Sequence, residues 1–170
     1  MRLLLILRAA VCLEVGLIVT FSQSHSVQVG LLALTSFGVG YAMVSVFTAL
    51  LQRKKLAELD SVVVTALALV VGLAAANSPA AQDHLWFRFL VVGWGVGSGA
   101  YELLKARGLG LKTPRGKEHV VSGVLALALG LLFLLAPLDV VASVGFFGAY
   151  MILCAVHLGI SAASETTSKA

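Results

Sequence analysis

The sequence predicts an all-α integral membrane protein: six transmembrane helices in a single domain over residues 1–170. Three observations predict it. Hydrophobic residues make up 59% of the chain and charged residues only 12%, against roughly 45–50% and about 25% in soluble proteins. The mean hydropathy is +1.01. The apolar residues fall in long runs, and the basic residues fall mostly between the runs. A soluble domain of 170 residues has too much surface for its volume to hide that much apolar area. A soluble enzyme and a disordered chain are excluded on that ground. The net charge of +4 comes without an aromatic-basic surface, so no nucleic-acid partner is expected. The charge is read instead as the device that orients the spans.

A span takes about 20 mostly apolar residues, and six stretches qualify. The first, 3–21, starts Met-Arg and runs apolar, like a signal peptide. Arg8 and Glu14 interrupt it and no small-x-small cleavage site follows before Gln23, so it reads as a retained helix. The second, 27–51, follows a polar turn at 22–26. The third, 61–76, is short and reaches full length by taking in 59–60 and 77–78. The fourth, 85–104, is entered through Trp86, Phe87 and Phe89, ordinary interface anchors, and carries Arg88 and Glu102. The fifth, 119–136, stops at Pro137, and the sixth, 140–163, follows at once. The connection 105–118 contains Gly108, Gly110, Pro114 and Gly116 and is expected to be a flexible link.

Eleven of the 12 Lys and Arg residues lie on one side of this arrangement. They occupy the N-terminus, the loops 52–60 and 105–118, and the tail. The turns 22–26, 77–84 and 137–139 have none, and Arg88 alone falls on the other side. The positive-inside rule then puts both termini in the cytoplasm. Cys12 and Cys154 lie inside apolar runs, with no CxxC and no zinc spacing, and read as packing residues.

The hairpins resemble one another. Gly72 precedes Pro79 by seven residues, and Gly130 precedes Pro137 by seven. Each proline stands at an outer turn, where it ends a helix without breaking hydrogen bonds inside the bilayer. Each following helix has a glycine cluster, Gly93–Gly99 in one and Gly145–Gly148 in the other; the first hairpin is a weaker copy with Gly16, Gly38 and Gly40. Two spans per unit give three parallel helix-hairpin repeats, about 1–52, 58–107 and 118–164. Inverted repeats need an odd number of spans per unit. The run from Ser122 to Pro137, and the segment Gly99-Ala-Tyr-Glu-Leu-Leu-Lys-Ala-Arg107, resemble the HdeD family of small bacterial membrane proteins. The similarity covers about residues 60–163. It implies a six-span fold in the bacterial plasma membrane and a structural or acid-stress-protective role, and it supplies no catalytic residues. Mitochondrial-type carriers also have three two-helix repeats, but their proline-acidic-basic signature is missing here.

Within the spans, two kinds of residue stand out. The first is small residues four apart: Gly95 and Gly99; Ser122, Ala126 and Gly130; Ala155, Gly159 and Ala163. Such stripes let helix backbones approach in lipid, either inside the chain or toward a homo-oligomer or a larger membrane complex. The second is intramembrane charge. Arg88 and Glu102 are 14 residues apart, almost four turns, and share a face with Gly95 and Gly99. Depth suggests two crosswise ion pairs between the first and fourth helices, Glu14 with Arg88 and Arg8 with Glu102; the competing reading is that Arg8 and Glu102 snorkel to the interface. His25 and His84, at outer turns, the latter next to Asp83, are candidate sensors of external acid, weighed against ordinary loop histidines.

No HExxH, P-loop or Gly-x-Ser-x-Gly is present, and no catalysis, cofactor or metal is expected. Three function classes follow. One is a non-enzymatic, structural or stress-protective protein of the HdeD type. A second is an accessory subunit docked on a larger membrane complex. The third, a small transporter or channel, needs polar residues on several helices facing one axis, and the third and fifth spans offer little beyond Thr65 and Ser122.

Overall fold

The computed structural model describes residues 2–52, 62–78 and 84–167. These residues form six helices: α1 (Arg2–Phe21), α2 (Val27–Leu51), α3 (Val62–Ala76), α4 (His84–Leu109), α5 (Pro114–Leu135) and α6 (Val140–Thr167). Four of them, α1, α2, α5 and α6, are long and apolar enough to cross a bilayer. Of α3, 15 residues are described. Its extension into 59–61, with the basic loop Arg53–Lys55, lies outside the described residues, as do Pro79 and Asp83.

Local chemistry sets the ends. Ser26 caps α2 by accepting from the Val29 N–H, and Thr113 caps α5 by accepting from the Gly116 N–H at 3.0 Å, as N-cap hydroxyls do. Pro114 opens α5 where a missing N–H is harmless. Asp139 Oδ1 accepts from the Ala142 N–H at 2.7 Å at the start of α6. The link expected to be flexible over 105–118 is corrected here. α4 continues to Leu109 and α5 starts at Pro114, so the turn is four residues, 110–113. Gly108 and Gly116 are helical, and Gly110 alone takes a left-handed φ of +86°, where a Cβ is strained. The physical reason is that strong caps outweigh scattered glycines.

The helices follow one another around a ring, and α6 closes it on α1. The closest packing is between α2 and α3, α4 and α5, and α6 and α1; the helices of a hairpin touch less. Glycine explains these three contacts. A Cβ on Gly95 would lie 2.7 Å from the Ala126 carbonyl oxygen and 2.8 Å from Gly130 Cα. A Cβ on Gly38 would run into the Ala68 carbonyl and lie 2.7 Å from Gly72 Cα. On α6, a Cβ on Gly148 would meet Val19 Cγ1 at 2.5 Å. Each of these glycines follows an aromatic residue: Phe37, Trp94 and Phe147. While the glycine faces the neighbouring odd-numbered helix, the aromatic ring goes to the centre. The Phe37 ring lies edge-on to Trp94, centroids 4.9 Å apart, and edge-on to Phe147 at 6.5 Å. Those are favoured aromatic geometries, and all three rings are buried. Outward, the bundle is apolar, with Phe21, Leu135, Leu85 and Leu50 at least 70% exposed, the pattern of a protein whose surroundings are lipid.

Candidate functional site: a polar centre inside the bundle

On one side of the aromatic cluster the interior turns polar. Arg8 of α1 is buried. It lies on the stripe Leu5, Arg8, Cys12, Val15, Val19 that packs inward, at the three- and four-residue spacing of one helix face. Its Nη2 donates to Ser45 Oγ of α2 at 2.8 Å and to Thr65 Oγ1 of α3 at 3.2 Å. Its guanidinium stands 4.2 Å from the centre of the Tyr41 ring, within cation–π range. Ser45 in turn donates to the Tyr41 carbonyl at 2.7 Å. One charged side chain thus ties three helices together.

Across the bundle, buried Glu102 of α4 pairs with Nδ1 of His119 on α5. Trp94 Nε1–H donates to Tyr150 Oη at 3.3 Å, and Ser98 donates to the Trp94 carbonyl at 2.6 Å. Between these groups is a cavity of about 60 Å³. Every helix contributes to its wall, with Cys12, Tyr41, Val64, Glu102, Ser122 and His157 among the lining residues. A space of that size holds a few waters. Cys12 and Cys154, both free thiols, line it as well.

The crosswise ion pairs are corrected. Arg88 donates through Nη2 to the carbonyls of Phe133 at 2.6 Å and Ala136 at 2.8 Å, which closes the exposed carbonyl end of α5. Glu102 goes to His119 rather than Arg8. Glu14 is exposed on the outer face of α1 instead of buried against Arg88. The face of α4 was identified correctly, because Arg88, Gly95, Gly99 and Glu102 all meet one helix; that helix is α5, not α1. Independent snorkelling of Arg8 and Glu102 is overturned too, since both are buried with interhelical partners.

The small residues divide. Gly95 and Gly99 of α4 meet Ala126, Gly130 and Gly123 of α5. Ser122 and Ala126 also line the cavity. Ala155 is buried, whereas Gly159 and Ala163 are exposed, and a Cβ on Gly159 would meet nothing within 4 Å. His25 is half-buried in the first turn. His84 opens α4, and its Nε2 lies 2.8 Å from Oγ of buried Ser143 on α6, so it is docked on a neighbouring helix rather than free in a loop.

Sequence reasoning missed Tyr41, Ser45 and Trp94 as site residues. Their only signal was polarity inside an apolar run. Thr65 and Ser122, set aside as too little for an aqueous path, both belong to the polar centre. Searched against protein-family models, curated proteins and solved structures, the chain matches none.

Proposed function

We propose that this chain is a non-enzymatic membrane protein of the HdeD type, built from three parallel hairpins with six spans. Both termini face the cytoplasm of a bacterial cell, and the role is structural or stress-protective. It acts by associating with another protein through its lipid-facing surface. The threefold reading draws support from the three aromatic–glycine pairs and from the matched contacts of Gly38 with Ala68 and Gly72, and of Gly95 with Ala126 and Gly130.

The observation that carries the associative role is Glu14. It sits about 18 Å along a helix about 30 Å long, exposed beside Leu13, Leu17 and Ile18. A carboxylate facing lipid near mid-bilayer costs on the order of 2.5–3.5 kcal/mol by insertion scales, and ionisable residues in spans almost always face protein or water. A protein surface that covers this face and offers a hydrogen-bond donor removes the penalty. That surface is a second copy of the chain in the first reading. Docking on a larger complex as an accessory subunit is the alternative, and Glu14 favours it equally. The transporter reading is weakened by the aromatic cluster, which fills the axis beside the polar centre.

Extraction from native membranes in mild detergent, followed by native mass spectrometry, tests this. The wild-type chain is expected in an assembly, either a homo-oligomer or a complex with other subunits. Glu14→Leu should release the monomer with its melting temperature unchanged or raised, since the carboxylate makes no hydrogen bond or ion pair among the described residues that must be given up. A wild-type chain that is monomeric throughout, or saturable solute flux in liposomes, would overturn the reading.

A further inference from the structure

We propose that the groove between α5 and α6 is a binding site for one anionic phospholipid, held by its phosphate at Arg115 and Lys117. The two helices belong to one hairpin and pack loosely. Between the start of α5 and the end of α6 they leave an open groove of about 970 Å³, in the range of ligand-sized sites. Its wall has two kinds of chemistry. Arg115 and Lys117 line the end nearest the turn 110–113, with Ser161 and Ser164 opposite on α6. Farther along the helices, Val121 and Ile160, both exposed, supply an apolar stretch, reaching about 10 Å in from the first residue of α5. Among the described residues the one carboxylate residue of the wall, Glu118, has its backbone against the His157 ring.

Both α5 and α6 are long and apolar enough to cross a bilayer, so the groove opens sideways into lipid at one leaflet. A soluble anion would use the basic end alone. A phospholipid uses both ends, its phosphate between the two cations and its upper acyl chain along Val121 and Ile160. Basic pockets between spans recognise acidic headgroups in this way. His157 strengthens the assignment. It lines the groove and the interior cavity together, and its Nε2 is buried without a hydrogen-bond partner among the described residues. The groove therefore borders the polar centre with an open hydrogen-bonding capacity in the dividing wall.

The test is native mass spectrometry of the detergent-purified chain with phosphatidylglycerol or phosphatidylcholine of matched acyl chains. The wild type should retain one phosphatidylglycerol at least fivefold more than phosphatidylcholine. Arg115→Gln with Lys117→Gln should remove that preference, and Ile160→Trp, which fills the groove, should lower retention of both lipids. Lys105→Gln alters a cation that stands over the Tyr101 ring instead and should leave retention unchanged. Equal retention of the two lipids by the wild type overturns the proposal. So does an equal loss in Lys105→Gln, or full displacement of the lipid by inorganic phosphate alone.

Discussion

Glu102 and His119 connect α4 to α5 where the cavity begins, and each is largely withdrawn from solvent. Removing either one leaves the other with a polar group that neither water nor protein fully satisfies, a loss of about 1–3 kcal/mol. Glu102→Gln and His119→Gln should each lower the melting temperature in detergent. The double variant should lose less than the sum, with a coupling of about 0.5–3 kcal/mol; strict additivity would separate the two side chains. Arg8 and Glu14 illustrate what residue-level reading can and cannot reach. They are six residues apart, so they point about 120° apart around α1. That separation lets both face a neighbouring helix, and the sequence reads both as paired with the fourth span. That Arg8 turns inward and Glu14 does not depended on where Ser45, Thr65 and Tyr41 came to lie.

At the level of helices, contact is decided by where backbone meets backbone. Gly95 and Gly93 are two residues apart on α4, yet a Cβ on Gly95 collides with the α5 backbone while one on Gly93 meets nothing within 4 Å. Gly95→Ala should therefore destabilise the fold by about 1–3 kcal/mol through overpacking. Gly93→Ala should be neutral, or stabilising by up to about 1 kcal/mol through helix propensity. Thermal unfolding of both variants checks this, and equal losses would mean that propensity rather than packing governs. The stripe Ala155, Gly159, Ala163 shows why four-residue spacing does not guarantee one contact. Each step of four turns 40° past a full turn, so a stripe two such steps long drifts off a neighbour that crosses at an angle. Ala155 stays inside; Gly159 does not.

For the molecule as a whole, the bias of Lys and Arg to one side predicts the orientation. A reporter fused at the C-terminus should be active only in the cytoplasm, and one inserted in the turn at Pro137 only outside. The reverse pattern would invert the bundle, and the same activity at both sites would break the six-span alternation. This orientation also places the α5–α6 groove and the Glu102–His119 pair toward the cytoplasm, with the aromatic cluster lying toward the opposite side.

Helix type, the apolar exterior and the positions of most turns were determined by the sequence alone, because they follow from composition, hydropathy runs and capping residues that act within a few positions along the chain. The α4 face that carries Arg88, Gly95, Gly99 and Glu102 was also determined there, since periodicity places residues on a face whatever the surroundings. Only the tertiary structure decided which helix that face meets, that Arg8 would find hydroxyls and a ring, and that Glu14 would be left outside. Those outcomes depend on the order of helices around the ring. That order goes with three close approaches, of Gly38 and Gly95 to the neighbouring backbone and of Gly148 to the Val19 side chain, between residues 30 to 129 positions apart, a separation over which no local pattern carries information.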